Sequence, residues 1–491
     1  MAQSAESADD RPLLTCPLEW PEQRRNLILF ALCTGMQYLA APVIYVGITQ
    51  ASLCDRLGAD PRTANLPATL FFAMTAMPAL IAWLSPRVAA LRRNLAGCYL
   101  LSCVMLGTIA TVLVLDLPPS IKLATVILQG GVAGATMPTA VALLWEIIGR
   151  GSDESRRGLA LSLAFGAGPV LAVVGSFAQV ALLGGSFFGW ELPGVAFPYN
   201  FAILFGAGCP VMAIAALVTR GFRVPAATDE PNREPVAAVV PLLIGLPSLF
   251  SAVALDHLAT VMELEPLRKL AWLSALVAAV SIVWHFRAIL SQRVLLWATV
   301  VTILTYAGNM IPSNMNLYSA DALGDVPEKY AGMQNLLRFG CKVVAGAAFG
   351  QLLVKTHPKA GFLATAIVFL VAPLWAAFVT GPWYLVAFGI FGAGELIGVY
   401  GPNYLVSASR TSDLRRNMAF MTMLMVPVAP IGYLYGAIVN ACRDSSWSVG
   451  GSTGATLGFR ASFLACAALI GTGIVLGWLV LPNRPQRPDP S

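Results

Sequence analysis

Apolar stretches long enough to cross a bilayer recur along almost the whole chain. They lie at about 26–48, 65–84, 94–115, 121–148, 158–183, 199–219, 236–255, 270–286, 294–312, 331–354, 360–380, 383–405, 418–440 and 460–482. About 20 residues at 1.5 Å rise span a hydrocarbon core of roughly 30 Å, and a backbone in lipid must satisfy its own hydrogen bonds, so each stretch is expected as an α-helix. Only 11% of the 491 residues are charged, against roughly 25% in a soluble domain. The chain therefore reads as an all-α polytopic membrane protein with fourteen helices, an even number that leaves both termini on one side of the lipid bilayer.

The basic residues fix that side. With the N-terminus inside, the inner segments hold 21 Lys and Arg, including Arg24, Arg25, Arg87, Arg92, Arg93, Arg150, Arg410, Arg415 and Arg416, and the outer ones 8. This bias puts both termini in the cytoplasm, with the plasma or inner membrane the expected location. It also checks the span count, because dropping one helix would invert every later loop. The weakest spans, 236–255 and 270–286, could be lost only as a pair. Arg24 and Arg25 before an apolar run could imitate a signal peptide, but the run continues past any cleavage site and is read as a retained first span. The net charge of +6 thus reflects membrane topology, and nucleic-acid binding has no support.

The chain also repeats itself. Leu57-Gly58-Ala59-Asp60-Pro61 follows the first span, and Leu323-Gly324-Asp325-Val326-Pro327 follows the span at 294–312. Ser152-Asp153-Glu154-Ser155-Arg156-Arg157 matches Thr411-Ser412-Asp413-Leu414-Arg415-Arg416, and Pro169 precedes Gly175 as Pro430 precedes Gly436. The expected organisation is a cytoplasmic tail at 1–25, a six-helix bundle at 26–219, a linker with two inserted helices at 220–292, a second six-helix bundle at 293–482 and a tail at 483–491. Parallel repeats of this kind build a binding site at the midplane, in a central cavity.

Two six-helix halves with basic inner loops resemble the major facilitator superfamily. Arg156-Arg157-Gly158 looks like the family's loop between helices four and five, and Ala164-Phe165-Gly166-Ala167-Gly168-Pro169 like a small-residue version of its fifth-helix GxxxGPxxGG pattern. Ala82-Trp83-Leu84-Ser85-Pro86-Arg87-Val88-Ala89-Ala90-Leu91-Arg92-Arg93 partly matches G-x-L-x-D-R-x-G-R-R, with Pro86 where the family carries its Asp. The resemblance implies a secondary transporter, a latch role for the loop holding Arg87, Arg92 and Arg93, and a gate that this loop alters. The two extra helices resemble those of fourteen-helix drug exporters and peptide transporters, although Thr34-Gly35-Met36-Gln37-Tyr38 lacks the peptide family's acidic signature.

Candidate site residues follow from polar groups inside spans. Asn335, Arg338, Lys342, Gly346 and Phe349 fall on one stripe of the helix at 331–354. Each cation there costs about 2.5–3.5 kcal/mol if it faces lipid, so the stripe points to water or an anion. The bland alternative is a structural ion pair or snorkelling toward the outer surface. Gln37, Tyr38, Gln129, Tyr306 and Asn309 are further candidates for solute contact. Glu395, near the middle of its span, must be paired or hydrated, with Lys342 the natural partner. It is a candidate for proton coupling, or else one end of a permanent salt bridge. Pro169, Pro427 and Pro430 are expected to bend their helices for a rocking motion. The glycines at 130, 131, 134, 166, 168, 392 and 394 read first as close helix packing, and Tyr433 and Tyr435 equally as interface anchors or ligand contacts.

Nine scattered cysteines without CxxC, and three distant histidines, argue against a metal site, and no cofactor is expected. Cys54 and Cys442 could pair if both face outward. The leading reading is a monomeric secondary transporter of a small, anionic solute, working by alternating access with a proton or other coupling ion. A membrane-embedded transferase would need an acid-base constellation, and the only adjacent Asp and His, Asp256 and His257, fall in an expected outer loop. The alternative with the same fold is a non-transporting sensor or scaffold, supported by the altered loop at 82–93.

Overall fold

A computed structural model describes residues 18–485 apart from 46, 185, 188–189, 192–193, 226–235, 409–422 and 450; for 154–167, 186–187, 190–191, 236–238, 261, 288–289, 353–354 and 406 it describes the backbone alone. The loop at 411–417 and the first tail up to residue 17 lie outside the described residues. The helices of the N-terminal part are α1 (Trp20–Leu39), α2 (Ala41–Ile44), α3 (Ile48–Arg56), α4 (Pro61–Ala64), α5 (Leu66–Ala73), α6 (Met77–Leu84), α7 (Leu91–Val114), α8 (Pro119–Gly151), α9 (Glu154–Gly184) and α10 (Tyr199–Val218). The linker forms α11 (Val236–Val261) and α12 (Glu265–Leu290). The C-terminal part has α13 (Arg293–Tyr306), α14 (Pro312–Leu323), α15 (Pro327–Lys355), α16 (Pro358–Phe378), α17 (Val386–Gly394), α18 (Ile397–Ser407), α19 (Ala429–Arg443) and α20 (Gly454–Val480). Two hairpins of two-residue strands, at Ser186–Glu191 and Ser448–Thr453, are the described departures from helix.

Proline marks many of the helix starts. It occupies the first turn of α1, α2, α4, α5, α6, α8, α14, α15 and α16, where the missing N–H has no helical partner to lose. Pro169 lies inside the continuous helix α9. Pro430 instead stands in the first turn of α19, after a run of turns at 424–428. The bend expected there from a lost hydrogen bond is therefore a break in the backbone with the proline opening the next helix.

Ten helices among the described residues are long and apolar enough to cross a membrane, including both helices of the linker. The other four expected spans differ for separate reasons. Residues 26–48 are divided among α1, α2 and α3; 158–183 fall in the continuous helix α9, whose side chains are described from 168 onward; 331–354 fall in α15 with its two cations; and 418–422 lie outside the described residues. The linker helices are longer than expected. Asp256 and His257, assigned from sequence to a loop, lie in α11.

Both copies of the repeated Leu-Gly-x-x-Pro turn have the same backbone. Gly58 and Gly324 take φ of 81° and 80°, the left-handed region where a side chain would be strained, and each turn is followed by a proline-started helix. Asp60 caps the first of these by accepting a hydrogen bond from the Thr63 N–H at 2.8 Å.

The helices form two groups. In the N-terminal group α1 packs on α9, α7 on α8 and α10, and α5 on α8; in the C-terminal group α15 packs on α17, α16 on α17 and α20, and α19 on α20. The groups meet where α9 crosses α15, α4 and α5 touch α19, and α3 touches α14 and α15. Glycines set the closest approaches. A Cβ on Gly130 or Gly134 would overlap the α5 backbone at Pro67 or Phe71, and one on Gly332 the α9 backbone at Val180. The apolar core runs through both groups. The inserted pair pack on each other, and Trp272, Val280 and Trp284 of α12 stay exposed, as expected of a face turned to lipid.

Candidate functional site

Helix α15 presents the predicted stripe inward. Asn335 and Arg338 are buried, Lys342 is partly so, and Val344 on the opposite face is 73% exposed. Opposite them the span at 383–405 is broken, α17 ending at Gly394 and α18 starting at Ile397. Glu395 sits in the break. Gly392 brings α17 against α15 at the Arg338 carbonyl, where a Cβ would overlap, and this close approach carries Glu395 to its partners.

Those partners are two cations. The Arg338 Nε donates to Glu395 Oε2 at 3.0 Å while its Nη2 donates to Oε1, a two-pronged pairing that matches guanidinium to carboxylate. Lys342 Nζ donates to Oε2 at 3.2 Å. The expected Lys342–Glu395 pair thus exists with Arg338 as the more closely engaged partner. The guanidinium also lies 5.3 Å and 5.4 Å from the ring centroids of Phe339 and Phe391, which lowers the cost of its burial. One carboxylate against two cations leaves the cluster with one net positive charge.

Across from the cluster stands the N-terminal group. Phe339 packs with Ala41, Ala172, Tyr38 and Tyr45 in a small apolar cluster separate from the main core. Tyr38 covers Gly168, whose missing side chain leaves room for the ring. One turn from Arg338, Asn335 donates to Gln179 Oε1 at 2.8 Å, and Gln179 donates to Thr49 Oγ1 at 3.0 Å.

The remaining candidates lie elsewhere. Gln37 donates to the Tyr99 hydroxyl at 2.7 Å, and Gln129 links Gln50 (3.2 Å) to the Val43 carbonyl (3.1 Å), so both serve the interior of the N-terminal group. Tyr306 is buried within the C-terminal group, and Asn309 donates to the Tyr306 carbonyl at 3.3 Å. The structure therefore brings together Tyr38, Asn335, Arg338, Lys342 and Glu395. Thr49, Gln179 and Tyr45 were missed. Gln179 is a lone amide in an apolar helix, and Thr49 follows Gly47, where the first span breaks; both were visible signals.

At the loop 82–93, Arg87 and Arg93 are exposed, and Arg92 donates to the Phe222 carbonyl at 3.2 Å. The side chains of Arg156 and Arg157 lie outside the described residues. Cys54 and Cys442 are both buried and free, so the pairing that was open to them had both faced outward is not formed. No group of His, Cys, Asp and Glu among the described residues could hold a metal ion.

A second feature joins the helix groups, at the end carrying the turns 57–60 and 324–326. Ser52 donates to Asn316 at 2.8 Å and Asn65 to Asn314 at 2.7 Å, while Asn316 donates to Gln334 at 2.7 Å. Arg56 pairs with Glu328 at 3.1 Å. At this end the two groups are joined by a polar seam.

Two groups of apolar helices, an ion-paired cluster at their junction and a polar seam between them are the arrangement expected of a membrane transporter. The chain belongs to the Major Facilitator Superfamily, whose family model matches residues 27–437. Among solved structures it is similar to an auto-inhibited POT family peptide transporter (14% identity, 96% of this chain and 99% of that one, TM-score 0.63). It is also similar to a variant of the nucleoside transporter NupG (11%, 93% and 100%, 0.61) and to a D-xylose-proton symporter (12%, 94% and 98%, 0.61). At such identities the likeness is one of fold. No curated protein matches the chain in sequence.

Proposed function

We propose that the protein moves a small solute carrying an anionic group by alternating access of two six-helix bundles, 26–219 and 293–482, with both termini cytoplasmic and Glu395 coupling a proton to transport. The observation that carries this reading is the single carboxylate shared by Arg338 and Lys342 at the junction of the two bundles. An ionised Glu395 occupies the fork of Arg338. When it takes a proton, that fork is free for a carboxylate of the solute, for which its geometry is suited. Tyr38 and Tyr45 would offer aromatic and hydroxyl contacts from the other bundle. Two cations that must be compensated in a low-dielectric site favour binding proton and anion together. The polar seam lies at the end that the distribution of basic residues assigns to the outside, which supports a conformation closed toward that side.

The test is thermal-shift screening of the purified protein against a metabolite library, repeated on Arg338→Ala. Acidic compounds that stabilise the parent and not the variant support the assignment; equal shifts in both exclude Arg338 from the site.

A second reading, a non-transporting sensor with the same fold, is favoured by the loop at 82–93. There Pro86 replaces the family's acid and Arg92 engages a backbone carbonyl. Counterflow of a stabilising solute in proteoliposomes separates the readings, because exchange excludes a protein that only senses.

A further inference from the structure

The inserted helices meet both bundles at one point. Arg62 in α4 of the N-terminal bundle forms an ion pair with Asp256 of α11, and its Nη1 donates to Thr260 on the next turn of α11 at 2.8 Å. Tyr433 in α19 of the C-terminal bundle donates its hydroxyl to the same carboxylate oxygen of Asp256 at 2.9 Å. The Arg62 guanidinium lies over the Tyr433 ring, 4.3 Å from its centroid. Three separate parts of the chain thus share one charge pair. Beside it, α19 presses on the start of α4, since a Cβ on Gly436 would run into the backbone of Pro61 and Arg62.

We infer that Asp256 makes the inserted helix α11 a working part of the gate at this end, as a clasp that favours the closed state. An acid in a largely lipid-facing helix is costly unless it is paired, so Arg62 accounts for its charge. Arg62 does not account for Tyr433. The hydroxyl bond and the guanidinium–ring contact exist only while α19 lies against α4. If the bundles separate here, Asp256 can stay with Arg62, but both contacts to Tyr433 are lost. An interaction present in one state and absent in the other shifts the balance between them. The insert then does more than fill space in the bilayer: it sets how readily the outer side opens.

The inference rests on the alternating-access reading, and one measurement separates the two. Nitroxide labels at positions 116 and 444, exposed on the two bundles at this end, report the separation of the bundles in nanodiscs, on a background with the native cysteines replaced. Asp256→Asn and Tyr433→Phe should each raise the long-distance population about three- to tenfold, the range expected for the net loss of one hydrogen bond. Tyr433→Phe keeps the ring and tests the junction from the other bundle should Asp256→Asn fail to fold. Gly332→Trp, placed against the Val180 backbone, serves as a wedge. If the wedge lengthens the distance and the clasp variants do not, Asp256 is only an anchor for the insert and the inference fails. If neither variant nor wedge changes it, the bundles do not part at this end, and alternating access fails with it.

Discussion

Glu395 is the residue on which the proposed coupling and the stability of the fold meet. It pairs with Arg338, which is only 7% exposed, and with Lys342. Removing one partner of such a buried group leaves an uncompensated charge at a cost of about 3–5 kcal/mol. Glu395→Gln is therefore expected to lower thermal stability measurably. It is also expected to abolish accumulation of solute driven by a proton gradient while preserving solute exchange in counterflow, read with labelled solute and an internal pH dye. Loss of exchange as well would mean that the carboxylate holds the solute rather than the proton. The charged stripe was legible in the sequence, because Arg and Lys four residues apart share one helix face, and in an apolar run that face must meet water or a compensating charge. That Arg338 rather than Lys342 would clasp Glu395 in two prongs was not, since it depends on the close approach of two helices distant in sequence.

At the scale of elements, Gly392 packs two helices closely, as its position suggested, whereas Pro430 does different work from the bend expected of it. Gly392 sets the distance between α15 and α17, and a side chain there overlaps the Arg338 backbone. Gly392→Val should cost about 2–3 kcal/mol through forced separation of the helices. It should also weaken binding of any solute that needs Arg338, as seen in the thermal-shift assay. Pro430 opens α19 instead of kinking it, so Pro430→Ala should change stability by less than about 1 kcal/mol in thermal unfolding. The sequence repeat pairs Pro430 with Pro169, yet only Pro169 lies within an unbroken helix. Equal spacing in two repeats does not enforce equal backbone, because the turns before α19 take the place of the helix that precedes Pro169. Asp256 carries the same lesson: an acid after an apolar run reads as a loop until a partner from another helix, here Arg62, makes its burial tolerable.

For the molecule as a whole, the proposed alternating access predicts that the polar seam governs which side is open. Arg56 and Glu328 come from the two bundles and pair at 3.1 Å. Charge reversal of either alone should raise opening at this end by about fivefold, the scale of a partly exposed ion pair, while the double swap Arg56→Glu with Glu328→Arg should restore the closed population. The distance between labels at 116 and 444 reads this directly. Lack of rescue would mean that the pair is a bystander to closure. The sequence by itself determined the helical type of the elements, the duplicated turn, the membrane setting and the presence of costly charges in α15, because hydrophobic length, turn chemistry and desolvation act locally along the chain. Only the tertiary structure decided which polar residues meet. Gln37 and Gln129 turned into their own bundle while Gln179 and Thr49 reached across to Asn335, and the linker helix supplied Asp256 to both halves, because such meetings depend on how helices cross and no local pattern records that.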